Sequence, residues 1–267
     1  MKNNNLEKSF SKTFVFVPSC RSLSRALSQD GKKAVKPMLF MAGCILFFLS
    51  SCRKDEKIPD AGYSYFPDNV GHWCIYDVDS TVYDEFHHDT VYYHYQVKEV
   101  IQSYFTDNSG RQAMRIERYK RMYNDTVPFD SLPWTISRVW SFVRTSSEGE
   151  KVEENQRFIR LTFVPRKGIK WDGNAYNTIG EWKYKYTSVD EPYSVNNMHF
   201  DSTLNVQQKL DTNMLDYRIY SEHYARHVGL IEKDVIDVHD DVLSTASVLT
   251  RIEGGTIYHI KLVSWGN

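Results

Sequence analysis

The sequence predicts an antiparallel all-β single domain with little helix, its curved sheet arranged as a barrel-like form or a sandwich. Three observations carry that prediction. Short segments of alternating polarity recur between turn signals, and no stretch keeps a convincing 3.6-residue apolar period. All 18 Tyr and all 6 Trp lie after residue 51, and aromatic side chains suit pleated, half-buried surfaces. Segments of this kind at short spacing indicate an antiparallel all-β domain.

Residues 1–51 stand apart from that domain. Lys36–Cys52 holds an apolar run between a basic flank (Lys32, Lys33, Lys36) and small residues. That is the anatomy of a secretory leader, and it falls short of the ~20 residues a spanning helix needs. Residues 1–35 make an unusually long polar n-region, and initiation at Val35 would leave a conventional leader. The ending Leu49, Ser50, Ser51, Cys52 resembles the lipobox of bacterial lipoproteins. The resemblance implies removal of residues 1–51 and acylation of Cys52, so the covalent lipid is the one non-protein group expected. Each buried methylene contributes ~0.8 kcal/mol, and two or three acyl chains hold a protein to a bilayer almost permanently. Lys54, Asp55 and Glu56 resemble the signal that sends lipoproteins of the Bacteroidota to the outer face of the outer membrane. Residues 52–66, punctuated by Pro, Gly and Asp, read as the tether, and 67–267 as the β domain.

Without residues 1–51, which carry eight Lys/Arg and two Asp/Glu, the chain keeps 25 basic and 32 acidic residues, a formal net charge of −7. An acidic chain without a basic stripe excludes nucleic acid as a partner, because that binding rests on neutralising phosphates. The remaining 216 residues suit one β domain or two small ones. Cys20 and Cys44 leave with the leader and Cys52 is acylated, so Cys74 stands alone and reads as a buried small hydrophobe.

Strands follow in order. Residues 71–78 form the first, and 84–89 turn into a long second strand over 90–101 with Val91, Tyr93, Tyr95 and Val97 on one face. Asp107–Gly110 is a turn leading into 113–119. Residues 132–143 fit both a helical face and alternation; β-branched and aromatic content favours a strand, hairpinned through a turn at Ser147–Glu150 to 157–164. Further strands are expected at 180–187, 204–209, 217–224, 230–238 and 257–263. Trp171–Asn174 reads as a turn in which Gly173 takes φ > 0 and Asp172 bonds the backbone, Val228–Gly229 as a bend, and Gly254–Gly255 as a turn.

The segment Phe66–Val78 resembles the Pro-x-x-x-Gly-x-x-Trp-x-Tyr opening of uncharacterised Bacteroidota lipoproteins. Gly168–Asn174 and Tyr224–Ile231 resemble later signatures of such families. The resemblance implies a scaffold at the envelope and no particular activity.

Catalytic chemistry finds little footing. His223 and His227 stand at i, i+4, but a strand running into a bend suits them better than a metal-binding helix face. His87, His88 and Asp89, and His239, Asp240 and Asp241, read as solvated loop tips, so no metal is expected. Nucleophile-elbow, zincin and Ser-x-x-Lys patterns are lacking in the sequence. The expectation is a non-enzymatic, lipid-anchored binding or accessory protein of the outer membrane, at the cell surface, meeting an envelope protein, glycan or apolar ligand. Tyr123, Trp134, Trp171 and Tyr193, at turns or edges, are the candidate contact residues. A periplasm-facing carrier whose curved sheet encloses an apolar ligand is the alternative.

Overall fold

The computed structural model describes residues 60–267. The expected acylation site Cys52 and the expected export signal Lys54, Asp55 and Glu56 lie outside the described residues. Twelve antiparallel strands form one nearly closed, barrel-like sheet. They are β1 (Trp73–Asp84), β2 (Asp89–Thr106), β3 (Gln112–Met122), β4 (Thr135–Arg144), β5 (Glu148–Glu153) and β6 (Gln156–Thr162). The second half comprises β7 (Lys170–Asp172), β8 (Lys183–Val195), β9 (Met198–Thr212), β10 (Asp216–Ala225), β11 (Gly229–His239) and β12 (Gly254–Gly266). Helix among the described residues is limited to single 3-10 turns such as Tyr63–Tyr65.

Each strand pairs with its chain neighbours except across one seam. The first and last strands close the meander, with Trp73–Tyr83 of β1 running against Gly266–Gly255 of β12. The remaining opening is between β6 and β7. Individual bonds stitch it: Ile159 N–H to Gly173 O and Trp171 Nε1–H to Ile159 O, both 2.9 Å. Further along, the Tyr186 hydroxyl donates to Thr162 O (2.8 Å) and accepts from Thr162 N–H (2.9 Å).

The ten predicted strands are all present, with 132–143 largely strand β4 rather than a helix, and three local readings are corrected. The stretch read as a turn at Ser147–Glu150 is mostly β5, which lies between β4 and β6 and pairs with both. Its composition, Glu-Gly-Glu-Lys-Val-Glu, hid it, because its buried residues include Gly149, Glu150 and Lys151 rather than an apolar face. The true turn sits just before, where Thr145 Oγ1 accepts from the Ser147 and Glu148 N–H groups at 3.2 and 2.9 Å. Gly254 and Gly255 belong to β12, not to a turn; a Cβ on Gly255 would stand 2.1 Å from Asp237 O across the ladder. Gly173 does not take a positive φ. It is required because the Tyr184 ring would lie 2.4 Å from its Cβ, while Asp172 does accept from Asn174 N–H at 2.9 Å as expected.

Three buried clusters fill the barrel. One runs along β1, β2, β11 and β12, including Val78, Val97, Ile231, Ile260 and Leu262. A second joins Leu161, Tyr184, Tyr186, Leu204, Val206 and Tyr224 to Tyr65 and Phe66. The third is Ile101, Met114 and Ile116. The second cluster extends the folded body into residues that read as tether, since Tyr65 and Phe66 are buried. Arg226 clamps that segment. Its guanidinium pairs with Asp60 and with Asp190 (2.6 Å), donates to Ser64 Oγ (3.0 Å) and lies 4.5 Å from the Tyr65 ring centroid.

Candidate functional site: a charge-lined cavity

Between these clusters lies a partly open cavity of about 220 Å³. An engineered apolar cavity of ~150 Å³ already admits benzene, so the space suits a small molecule. Phe66 and Pro67 of the clamped segment line it, together with Cys74, Ile116, Phe142 and Ile260. Seven charged side chains line it as well.

Seven side chains form a continuous series of alternating sign. Arg118 Nε lies 3.2 Å from Glu99 Oε1, and Glu99 Oε2 lies 3.5 Å from Lys151 Nζ. Lys151 meets Glu153 at 2.9 Å, and Glu153 meets Arg160 at 2.8 Å. Arg160 reaches Glu222 at 3.5 Å, and Glu222 ends on Lys233 at 3.0 Å. Strands β2, β3, β5, β6, β10 and β11 each contribute. With four cations and three carboxylates, fully ionised, the series carries one positive charge in excess.

Electrostatics hold these groups in their charged forms. Burial alone would raise the Glu222 carboxyl, but Lys233 and Arg160 outweigh it and bring it down to about 2. Burial opposes ionisation of Glu153 as well, and Arg160, Lys151 and Lys233 overcome it to hold that carboxyl well below the ordinary range. Burial pulls Arg160 and Arg118 downward, yet the facing carboxylates leave both guanidinium groups above their usual value. The Tyr224 hydroxyl, pushed well up by burial and by Glu222, donates to Glu222 Oε2 at 2.5 Å. Cys74 is a buried free thiol as expected; burial pushes it up to about 12.

The Trp140 ring anchors one corner of the wall. The Arg118 guanidinium lies 4.5 Å from the ring centroid and Lys151 Nζ 4.4 Å. Among the described residues, Arg118 Nε, Trp140 Nε1 and Arg160 Nε have no hydrogen-bond acceptor. Arg118 Nε is near Glu99, but its N–H is not aligned on the carboxylate. Buried donors left in this state are uncommon and costly.

None of the four candidate aromatic residues lines this cavity. Tyr123 is exposed, edge-on to His94 and Phe129 at 5.2 and 5.8 Å. Trp134 is half-buried under the Arg121 guanidinium, 4.3 Å away. Trp171 holds the β6–β7 seam against Tyr186, with ring centroids 4.6 Å apart. Tyr193 stacks on His223 at 4.1 Å and donates to Glu232. That stacking fixes His223 on strand β10, while His227 sits in the bend with φ 63°, so the two imidazoles share no helix face. At an exposed rim, Glu85, His239 and Asp241 place ligand-capable atoms within 4.8 Å of one another, and His239 Nε2 is 3.2 Å from Glu85.

The sequence did carry a signal for the cavity wall. Glu99 follows Val97, Arg118 follows Ile116, and Lys233 follows Ile231, each two residues on and therefore on the same inward face. Charges in phase with a buried stripe mark a polar interior.

No protein-family model matches the chain, and no curated protein matches it. Among solved structures, one from Bacteroides fragilis, designated an exported protein with a YmcC-like fold, is 7% identical at a TM-score of 0.37. The alignment covers 76% of this chain and 98% of that one. A protein designated a lipoprotein from Parabacteroides distasonis is 9% identical with the same coverages and a TM-score of 0.30. Likenesses this slight say nothing about what the present chain does.

Proposed function

We propose that this chain is a lipoprotein anchored through Cys52 in a bacterial outer membrane, exposing its barrel at the cell surface as a non-enzymatic binding module for a small ligand. The cavity carries this reading: a space of about 220 Å³ with one wall apolar and the other a series of fixed charges. The leader and the residues after it, read from sequence, support the anchor and its direction. The carboxylates lining the cavity favour binding over acid–base chemistry. Glu153 and Glu222 are held ionised, whereas a general acid or base is poised near the working pH. The same charges disfavour a purely apolar ligand, which would leave them buried without solvent.

Two measurements test the two parts. Protease added to intact cells is expected to remove the wild-type barrel and spare a variant with Lys54, Asp55 and Glu56 replaced by Ala; protection of both would place the barrel in the periplasm. Native mass spectrometry of the membrane-extracted protein is expected to show a small-molecule adduct. Ile101→Phe, which reaches into the cavity from β2, should abolish that adduct with the circular dichroism spectrum unchanged. An adduct that survives Ile101→Phe would move the ligand elsewhere.

A further inference from the structure

The cavity also constrains what it holds, and this step rests on the binding-module reading above. We infer that its ligand is an organic monoanion with a compact apolar body, its anionic group seated in the corner made by Arg118, Trp140 and Lys151. The series that lines the wall has a cation at each end, Arg118 and Lys233, and one positive charge more than its carboxylates neutralise. A monoanion completes the count. A cation would add to that excess, and a dianion would reverse the imbalance.

The hydrogen-bond accounting points the same way. All three unsatisfied nitrogens that line the cavity, Arg118 Nε, Trp140 Nε1 and Arg160 Nε, are donors. Arg160 is 95% buried, its exposure being 5%, so bulk water cannot easily serve it. What the wall lacks is acceptors, and a carboxylate brings two oxygens with several lone pairs. The Arg118 guanidinium and Lys151 Nζ both lie over the Trp140 ring, so two cations and two of the unpartnered donors, Arg118 Nε and Trp140 Nε1, meet at one place. The body of the ligand must then lie against Phe66, Ile101, Ile116 and Phe142. These residues have no polar side-chain atom to offer, and an inorganic ion would leave them facing empty space or water.

The test compares benzoate with its neutral isostere benzamide and with inorganic phosphate. The protein is the full acylated chain in nanodiscs, and binding is read by ligand-observed NMR. Benzoate is expected to bind at least ten times more tightly than benzamide, and phosphate to bind no better than benzamide. Trp140→Phe keeps the ring and removes one unpartnered N–H, and Arg118→Lys keeps the charge and removes Nε; each should weaken benzoate three- to tenfold and leave benzamide unchanged. Equal binding of benzoate and benzamide would overturn the monoanion while leaving a binding cavity intact. Phosphate binding as tightly as benzoate would overturn the apolar body. If none of the three probes binds, water satisfies the donors, and both this inference and the binding-module reading fail.

Discussion

The same strands that bury an apolar residue at one inward position place a half-buried charge at the next. On β2 the pair is Val97 and Glu99, on β3 Ile116 and Arg118, on β11 Ile231 and Lys233. One end of the interior is therefore a packed apolar cluster around Val78, Ile231 and Leu262, and the other is a charged wall around a cavity. Strand geometry decides which way a side chain faces, and the residue type decides what that face then needs. The apolar end needs only volume matched to volume. The charged end needs every partner present, because burial there is tolerable only while the signs alternate.

The two ends should break differently. Glu222→Gln keeps shape but leaves Lys233 and Arg160 with no carboxylate at 3.0 and 3.5 Å, and removing one partner of a buried ion pair costs about 3–5 kcal/mol. Urea unfolding of this variant should show the largest loss of any single change considered. Replacing Lys233 by Met in the same chain should recover part of that loss, since it removes the cation left without an ion-pair partner, whereas Arg160 keeps Glu153 at 2.8 Å. If the double variant is less stable than Glu222→Gln alone, the partners do not act as a pair.

Acid should distinguish the ends without any mutation. The Glu222 carboxyl titrates near 2 in the folded chain, against about 4.5 for the unconstrained group. Its folded value is lowered, so its contribution is complete above about pH 4.5 and is lost as pH falls toward 2. Stability measured between pH 5 and 2 should fall steeply in the wild type. In Glu222→Gln that fall should be shallower, with Glu153 and other carboxyls held below their ordinary value, Asp190 among them, contributing what remains. Leu262→Ala, which opens the apolar end, should cost about 2–5 kcal/mol at every pH in that window. A pH profile for Glu222→Gln parallel to the wild type would mean that the acid response originates elsewhere.

What the sequence made legible follows the same division. Alternation shows the strands and their inward faces because it is local. The pairing of Glu99 with Lys151, or of Arg160 with Glu222, is not local, and no spacing connects β2 to β5 or β6 to β10. Strand β5 was hidden for a related reason: its inward positions are Gly149, Lys151 and Glu153, so the usual apolar signal is missing. Aromatic content alone pointed to Trp171 and Tyr193 as contact residues, but both are engaged within the fold, one on Ile159 O and Tyr186, the other on Glu232 and His223.

The smallest effect is expected at the seams, which offer a second contrast. Between β1 and β12 a full ladder closes the barrel, so no single side chain decides it. At the open seam, one hydroxyl of β8 serves both polar groups of a β6 residue: Tyr186 bonds the N–H and the O of Thr162. Tyr186→Phe keeps the buried ring and removes that link, leaving a backbone donor without its partner at a cost of about 1–3 kcal/mol. Amide hydrogen exchange should locate the loss. Faster exchange is expected at Thr162 and Ile159, on the β6 side of the seam, and unchanged exchange along β1 and β12. Equal acceleration at both seams would mean that the barrel opens as one unit and that the stitched seam is no weaker than the ladder.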